Sequence, residues 1–239
     1  MVMKSVVFLV VVIGVTFYLV RQCRKPHSWA GRFFLWEMGQ RHTDLTDWGL
    51  SHVVMKSNFR MLDIGCGGGK TVAKLAEVAT TGSVSGLDYS SASVAASLRT
   101  NRDAVAAGRV AIHHGSVSTL PFADRYFDLV TAVETHYYWP NLSKDLREIR
   151  RVLKQGGKVV IIAEAYKRSR FDPTHLAMKM LSASYLTEGE HGEALASAGY
   201  DDIEILTDRR KEWLCAIGVN KSGSGAVEVE PHADPLNSD

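Results

Sequence analysis

The sequence predicts an α/β three-layer sandwich, with seven strands in a mostly parallel sheet, an antiparallel last strand and helices on both faces. Three observations predict it. Short apolar runs alternate with segments of helical period from Arg60 onward. The first two runs end in Gly65 and Asp88, where a strand turns towards a helix. The last two runs are joined only by Thr-Asp-Arg-Arg-Lys, residues 207–211, too short for a crossover, so they pair antiparallel.

The elements follow in order. Met61 to Ile64 reads as the first strand, and Val72, Leu75, Ala76 and Ala79 recur at helical spacing after it. Val84 to Leu87 is the second strand, ending at Asp88. Ser91 is placed to cap a helix with Val94, Ala95 and Leu98 on one face. Val110 to Ile112 and Phe127 to Val133 form the third and fourth strands. Leu142, Leu146, Ile149 and Leu153 mark a helix that the Gly156-Gly157 pair ends. Val159 to Ala163 is the fifth strand. Thr187 and Glu190 have capping-box spacing for a helix running to about Ala198. Ile203 to Leu206 and Trp213 to Val219 complete the sheet.

The ends of the chain differ from this core. Val6 to Val20 carries no charge, follows Lys4 and precedes Arg21, Arg24 and Lys25. That pattern predicts an N-terminal transmembrane helix anchoring residues 1–25, with the basic side and the main domain in the cytoplasm. A secretory signal peptide is the rival, but the nearest small-x-small site, Ser28-Trp-Ala30, lies ten residues beyond the run and across those charges. Residues 26–59 read as a pre-core helical segment, 60–221 as the main domain and 222–239 as a disordered acidic tail.

Composition excludes several classes. Of 239 residues, 46% are hydrophobic and 23% charged, which is globular usage and rules out a disordered or collagen-like chain. A net charge of +2 leaves no electrostatic case for a nucleic-acid partner. Cys23, Cys66 and Cys215 lie far apart and form neither a disulfide framework nor a zinc set, and no metal site is read from the sequence.

The informative stretch is Leu62-Asp-Ile-Gly-Cys-Gly-Gly-Gly-Lys-Thr71. Glycines let backbone approach a ligand closely, and amides at the following helix start can hold an anion. A phosphate loop would need glycine at position 64, which is Ile64. A dinucleotide fingerprint would need a third glycine at position 70, which is Lys70. Asp88 at the next strand end can accept hydrogen bonds from a ribose diol.

Asp63-x-Gly65-x-Gly67 with Asp88 resembles the class I S-adenosylmethionine-dependent methyltransferases of small-molecule type, with a Rossmann-like sheet. Gly115 to Phe122, Phe127 to Val130 and Arg150 to Gly157 match further family segments in order, so the resemblance runs from Arg60 to Val219. There are two departures. Ser116 stands where an acid is usual, and Gln155 where the family has proline.

The resemblance implies S-adenosylmethionine as cofactor. Gly65 and Gly67 would pack against its methionine end, and Asp63 would organise the loop and its amine contacts. Asp88 would take the ribose hydroxyls, with Tyr89, Ser116 and Val117 around the adenine and Cys66 as a packing residue.

The fourth strand leads into Glu134-Thr-His-Tyr-Tyr-Trp139, beside the transferable methyl. Glu134, His136 and Tyr137 are the candidate catalytic residues, in positioning roles, with His136 as the candidate base. Glu164 has a weaker claim. The segment His27 to Val54, with Met38 to His42 and Trp48 to Leu50 inside it, and a second at Phe171 to Tyr185, are candidate covers. The expected partner is a small, lipophilic methyl acceptor. A non-catalytic scaffold of the same fold and a nicotinamide-dependent oxidoreductase are the rival classes.

Overall fold

The computed structural model describes residues 42–164, 166–167 and 183–221. In chain order these hold α1 (Thr43–Leu50), β1 (Arg60–Ile64), α2 (Lys70–Val78), β2 (Ser83–Asp88), α3 (Ser91–Thr100), α4 (Arg102–Ala106) and β3 (Val110–His114). Then come β4 (Phe127–Val133), a 3-10 turn (His136–Tyr138), α5 (Leu142–Val152), β5 (Leu153–Ala163), α6 (Glu188–Ser197), β6 (Asp201–Asp208) and β7 (Trp213–Val219).

The seven strands form one sheet in the order β3-β2-β1-β4-β5-β7-β6. β1 pairs in parallel with β2 and β4, and β7 runs antiparallel to β5 and β6. Strand order reverses between β1 and β4, so a crevice opens outside their carboxyl ends.

Both sheet faces are buried, which explains why the central strands read as continuous apolar runs. Side chains alternate between two cores. Val159, Ile161, Leu214 and Ala216 join Leu146 and Ile149 of α5 and Leu195 of α6. Val160, Ile162, Cys215 and Ile217 join Leu45 and Leu50 of α1 and Val72 and Leu75 of α2. The capping box is present: Thr187 Oγ1 accepts from the Glu190 N–H, and Glu190 Oε2 from the Thr187 N–H.

Several expectations are corrected. Among the described residues no helix is long and apolar enough to cross a bilayer. The apolar run at residues 6–20 lies outside the described residues, and fifteen residues at about 1.5 Å each reach only roughly 22 Å of the ~30 Å hydrocarbon core. The tail at 222–239 and most of the 171–185 cover also lie outside them.

Helix α3 is capped by Ser90, not Ser91, and it buries Ser93 and Ser97 while Leu98 is 39% exposed. The glycine loop dictates that face, because a Cβ at Gly69 would sit 2.4 Å from Ser97 Oγ, so only small side chains fit there. Helix α5 ends at Val152 and Leu153 already belongs to β5. The Gly156-Gly157 pair lies at an irregularity in the strand instead of capping the helix. Two backbone bonds hold it, Gly156 N–H to Asn220 O and Asn220 N–H to Gly157 O, both 2.8 Å.

Candidate active site

A cleft of about 430 Å3 opens at the carboxyl ends of β1, β2 and β4. Its floor is the loop after β1. Gly65, Gly67 and Gly69 have φ of +71°, +50° and +82°, a region that favours glycine. The Gly65 and Cys66 amides both donate to Leu87 O, at 2.7 and 3.1 Å, tying the loop to β2. Gly69 O accepts from the Asn101 side chain at 2.9 Å.

Asp88 staples the loop from the other side. Its Oδ2 accepts from Gly67 N–H at 2.9 Å and its Oδ1 from Ser90 N–H at 2.8 Å. Burial raises its pKa, and these backbone donors oppose that rise. Asp63 ends 2% exposed in the middle of the sheet, accepting from the Thr131 hydroxyl at 2.8 Å. Burial pushes its carboxyl up to about 7, with Thr131 pulling it down and the Asp88 charge adding to the rise.

That shift has a measurable sign. Between its ordinary 3.8 and about 7, the unfolded chain releases a proton that folded Asp63 keeps. The ligand-free protein is therefore expected to lose stability as pH rises through that window and to level off above it. Asp63→Asn should flatten the profile by on the order of a few kcal/mol, read by urea denaturation at several pH values. Parallel profiles for the two proteins would show that Asp63 titrates normally.

The other sequence-predicted residues divide. Tyr89, Ser116, Val117 and Glu134 line the cleft with the three loop glycines' neighbours, and so do Tyr138 and Trp139. Ser116 Oγ accepts from Ser118 N–H at 3.2 Å. Cys66 is 6% exposed, and burial holds its thiol well above its ordinary range, so it is a protonated packing group.

His136 and Tyr137 do not line the cleft. His136 is fully buried, its Nε2 3.0 Å from Nε2 of His191 on α6. Burial and the His191 ring hold its pKa well below normal, which favours the neutral imidazole, and the ring lies outside the cleft lining. Tyr137 acts on the cleft only through Glu134, to whose Oε1 its hydroxyl donates at 2.6 Å. Glu134 has φ +55°, a costly conformation for a side-chain-bearing residue. Its Oε1 also accepts the Glu164 N–H at 2.5 Å. Burial raises its pKa, and the nearby His42 charge opposes that.

Some cleft residues carry no local sequence signal of their role. Thr131 meets Asp63 because the two are register partners across β4 and β1. Thr135 abuts the loop: a Cβ at Gly65 would lie 2.1 Å from Thr135 Oγ1. His42, just before α1, and Thr43 and Thr46 of α1 close the cleft, and Lys74 of α2 forms an ion pair with Asp47 beside them.

Residues 62–161 match the family described as methyltransferase domain. A demethylmenaquinone methyltransferase of Lactiplantibacillus plantarum is 34% identical over 114 residues, 47% of this chain and 48% of that one. A chloroplastic 2-methyl-6-phytyl-1,4-hydroquinone methyltransferase of Arabidopsis thaliana is 28% identical over 173 residues, 71% of this chain and 47% of that one. The chain spans about half the length of these relatives. In fold, it is similar to a Haloferax volcanii methyltransferase solved with its Trm112 activator. The TM-score is 0.68 at 23% identity, over 81% of this chain and 96% of that one. The strand order, the glycine loop closed by Asp88 and the match from Leu62 to Ile161 agree: residues 62–161 of this chain carry a methyltransferase domain of the class I S-adenosylmethionine-dependent type.

Proposed function

We propose that the protein transfers a methyl group from S-adenosylmethionine to a small lipophilic molecule. The observation that carries the reading is the pairing of Asp63 and Asp88, two buried carboxylates at adjacent strand ends, across a loop of left-handed glycines. The residues fit the cofactor. A Cβ at Gly65 would fill the cradle against Thr135, and the cleft volume falls within the roughly 300–1,000 Å3 of small-molecule sites.

When bound, S-adenosylmethionine supplies an electrophilic methyl on a sulfonium. The chain's own residues then have the following roles. Gly65 and Gly67 let backbone approach the methionine end, and Asp63 pairs with its ammonium. Asp88 accepts from the ribose hydroxyls through lone pairs that Gly67 and Ser90 leave over. Tyr89, Ser116 and Val117 border the adenine. Glu134, oriented by Tyr137, positions the acceptor. His136 acts only through the turn that carries Tyr137, since its ring is buried against His191. In-line displacement from a sulfonium needs positioning above all, so a general base is not obligatory.

The lipophilic acceptor is supported by Tyr138 and Trp139 on the cleft wall and by the quinone-type substrates in the two relatives' names. Incubation with methyl-labelled cofactor and whole-cell extract is expected to place label in low-molecular-weight, solvent-extractable product. Label in protein or nucleic acid would overturn the acceptor class. Cofactor binding without transfer to any fraction would favour the scaffold reading.

A further inference from the structure

We propose that His42, Glu134 and Glu164 bind a divalent first-row transition cation at the edge of the cleft. The three side chains come from separate segments: the residue before α1, the residue after β4 and the residue after β5. Each offers one ligand atom, and these atoms lie within 4.8 Å of one another. Among the described residues no other group of three such side chains converges in this way. Their meeting is a product of the tertiary fold, since His42 lies 122 positions from Glu164 in sequence.

The three ligand atoms converge on one point of the cleft edge. Tetrahedral metal bonds of about 2.0–2.2 Å put ligand atoms roughly 3.3–3.6 Å apart, so the widest pair closes inward by up to about an ångström when the ion binds. His42 Nε2 and Glu164 Oε1 are already 3.3 Å apart. Glu134 has the outer contacts expected of an oriented ligand: Oε1 is held by the Tyr137 hydroxyl and the Glu164 N–H, which leaves Oε2 to meet the cation. Two carboxylates side by side repel, and a divalent charge between them reverses the sign of that interaction.

One imidazole nitrogen with carboxylate oxygens suits Zn2+, Co2+ or Mn2+ better than Ca2+, which takes oxygen ligands alone. Three protein ligands leave coordination positions open. His42 and Glu134 line the cleft, so those positions face the space beside β4. Glu164 is 44% exposed, which provides an entry route for the ion. Resting on the methyltransferase reading, the acceptor is then one with an oxygen able to take an open position on the cation, such as a phenol or hydroquinone.

The test uses the full chain stripped with a chelator and then titrated with Co2+ and Zn2+ alone. One equivalent of Co2+ is expected, with visible absorption bands that Zn2+ displaces. Glu164→Gln and His42→Ala should each weaken it at least about tenfold. S-adenosylhomocysteine binding by Glu164→Gln should be unchanged, which shows that the variant is folded. Absence of a stoichiometric Co2+ spectrum in the wild-type protein would overturn the site, whatever the variants do. Binding that neither substitution weakens would overturn it too, because the ion would then sit elsewhere. Methyl transfer by wild-type protein that takes up no Co2+ in the titration would remove this site and leave the functional reading intact. Metal binding without transfer would do the reverse.

Discussion

Replacing Asp88 with alanine is expected to weaken S-adenosylhomocysteine binding by more than about tenfold, because hydrogen bonds to a charged group contribute about 1.5–3 kcal/mol. Two effects add. The ribose contacts assigned to this carboxylate disappear, and the amides of Gly67 and Ser90 lose their acceptor, so the loop is no longer held in shape. Asp88→Asn separates the two. A carboxamide keeps one oxygen acceptor but presents an NH2 to the other amide, so its affinity should fall between wild type and alanine. Calorimetric titration of the three folded proteins decides. Equal affinity for Asp88→Ala and wild type would remove Asp88 from the cofactor site.

Gly65→Ala is expected to cost about 2–5 kcal/mol of stability and to abolish cofactor binding. Left-handed φ costs an alanine roughly 1–2 kcal/mol, and at Gly65 φ is +71°. The new methyl would also lie 2.1 Å from Thr135 Oγ1 and 2.7 Å from Thr135 Cβ, so rotating the hydroxyl alone cannot relieve the contact. Forcing the loop off β4 adds about 1–3 kcal/mol of overpacking. Thr135→Gly in the Gly65→Ala background should recover the overpacking part and leave the conformational part. Urea denaturation of the single and double variants separates them. A loss below about 1 kcal/mol for Gly65→Ala would mean that the loop yields easily and that its close approach is not a constraint.

Much of the fold is legible because strands buried on both faces are short apolar runs with few competing readings. Phe127–Val133 and Trp213–Val219 were read with their observed bounds, and the capping box at Thr187 announced α6. Failures occurred where tertiary contact overrides local pattern. The apolar face of α3 gave way to Ser93 and Ser97 because the glycine loop leaves no room for larger groups. The glycine pair after α5 resembled a helix stop, yet the helix had already ended at Val152 and passed into β5 without a loop.

The site divides the same way. Gly65, Gly67 and Asp88 carry a spacing that local sequence displays. Thr131 against Asp63, and His42 beside Glu134 and Glu164, depend on register between segments far apart in the chain, which no local pattern encodes. His136 has the titration range of a base, but burial in the turn disfavours its charge and removes its access.

The sheet order has a consequence for how the protein is made. β7 is the last strand among the described residues, yet it sits between β5 and β6. During vectorial synthesis β1 to β5, with the cofactor cleft, can assemble while β6 still has no neighbour to bond to. Until Trp213–Val219 emerges, the outer edge of β5, including Val159 to Ala163, stays open as a template for a foreign strand. A ribosome that stalls before residue 213 would therefore release a chain with the cleft strands in place and an unguarded apolar edge.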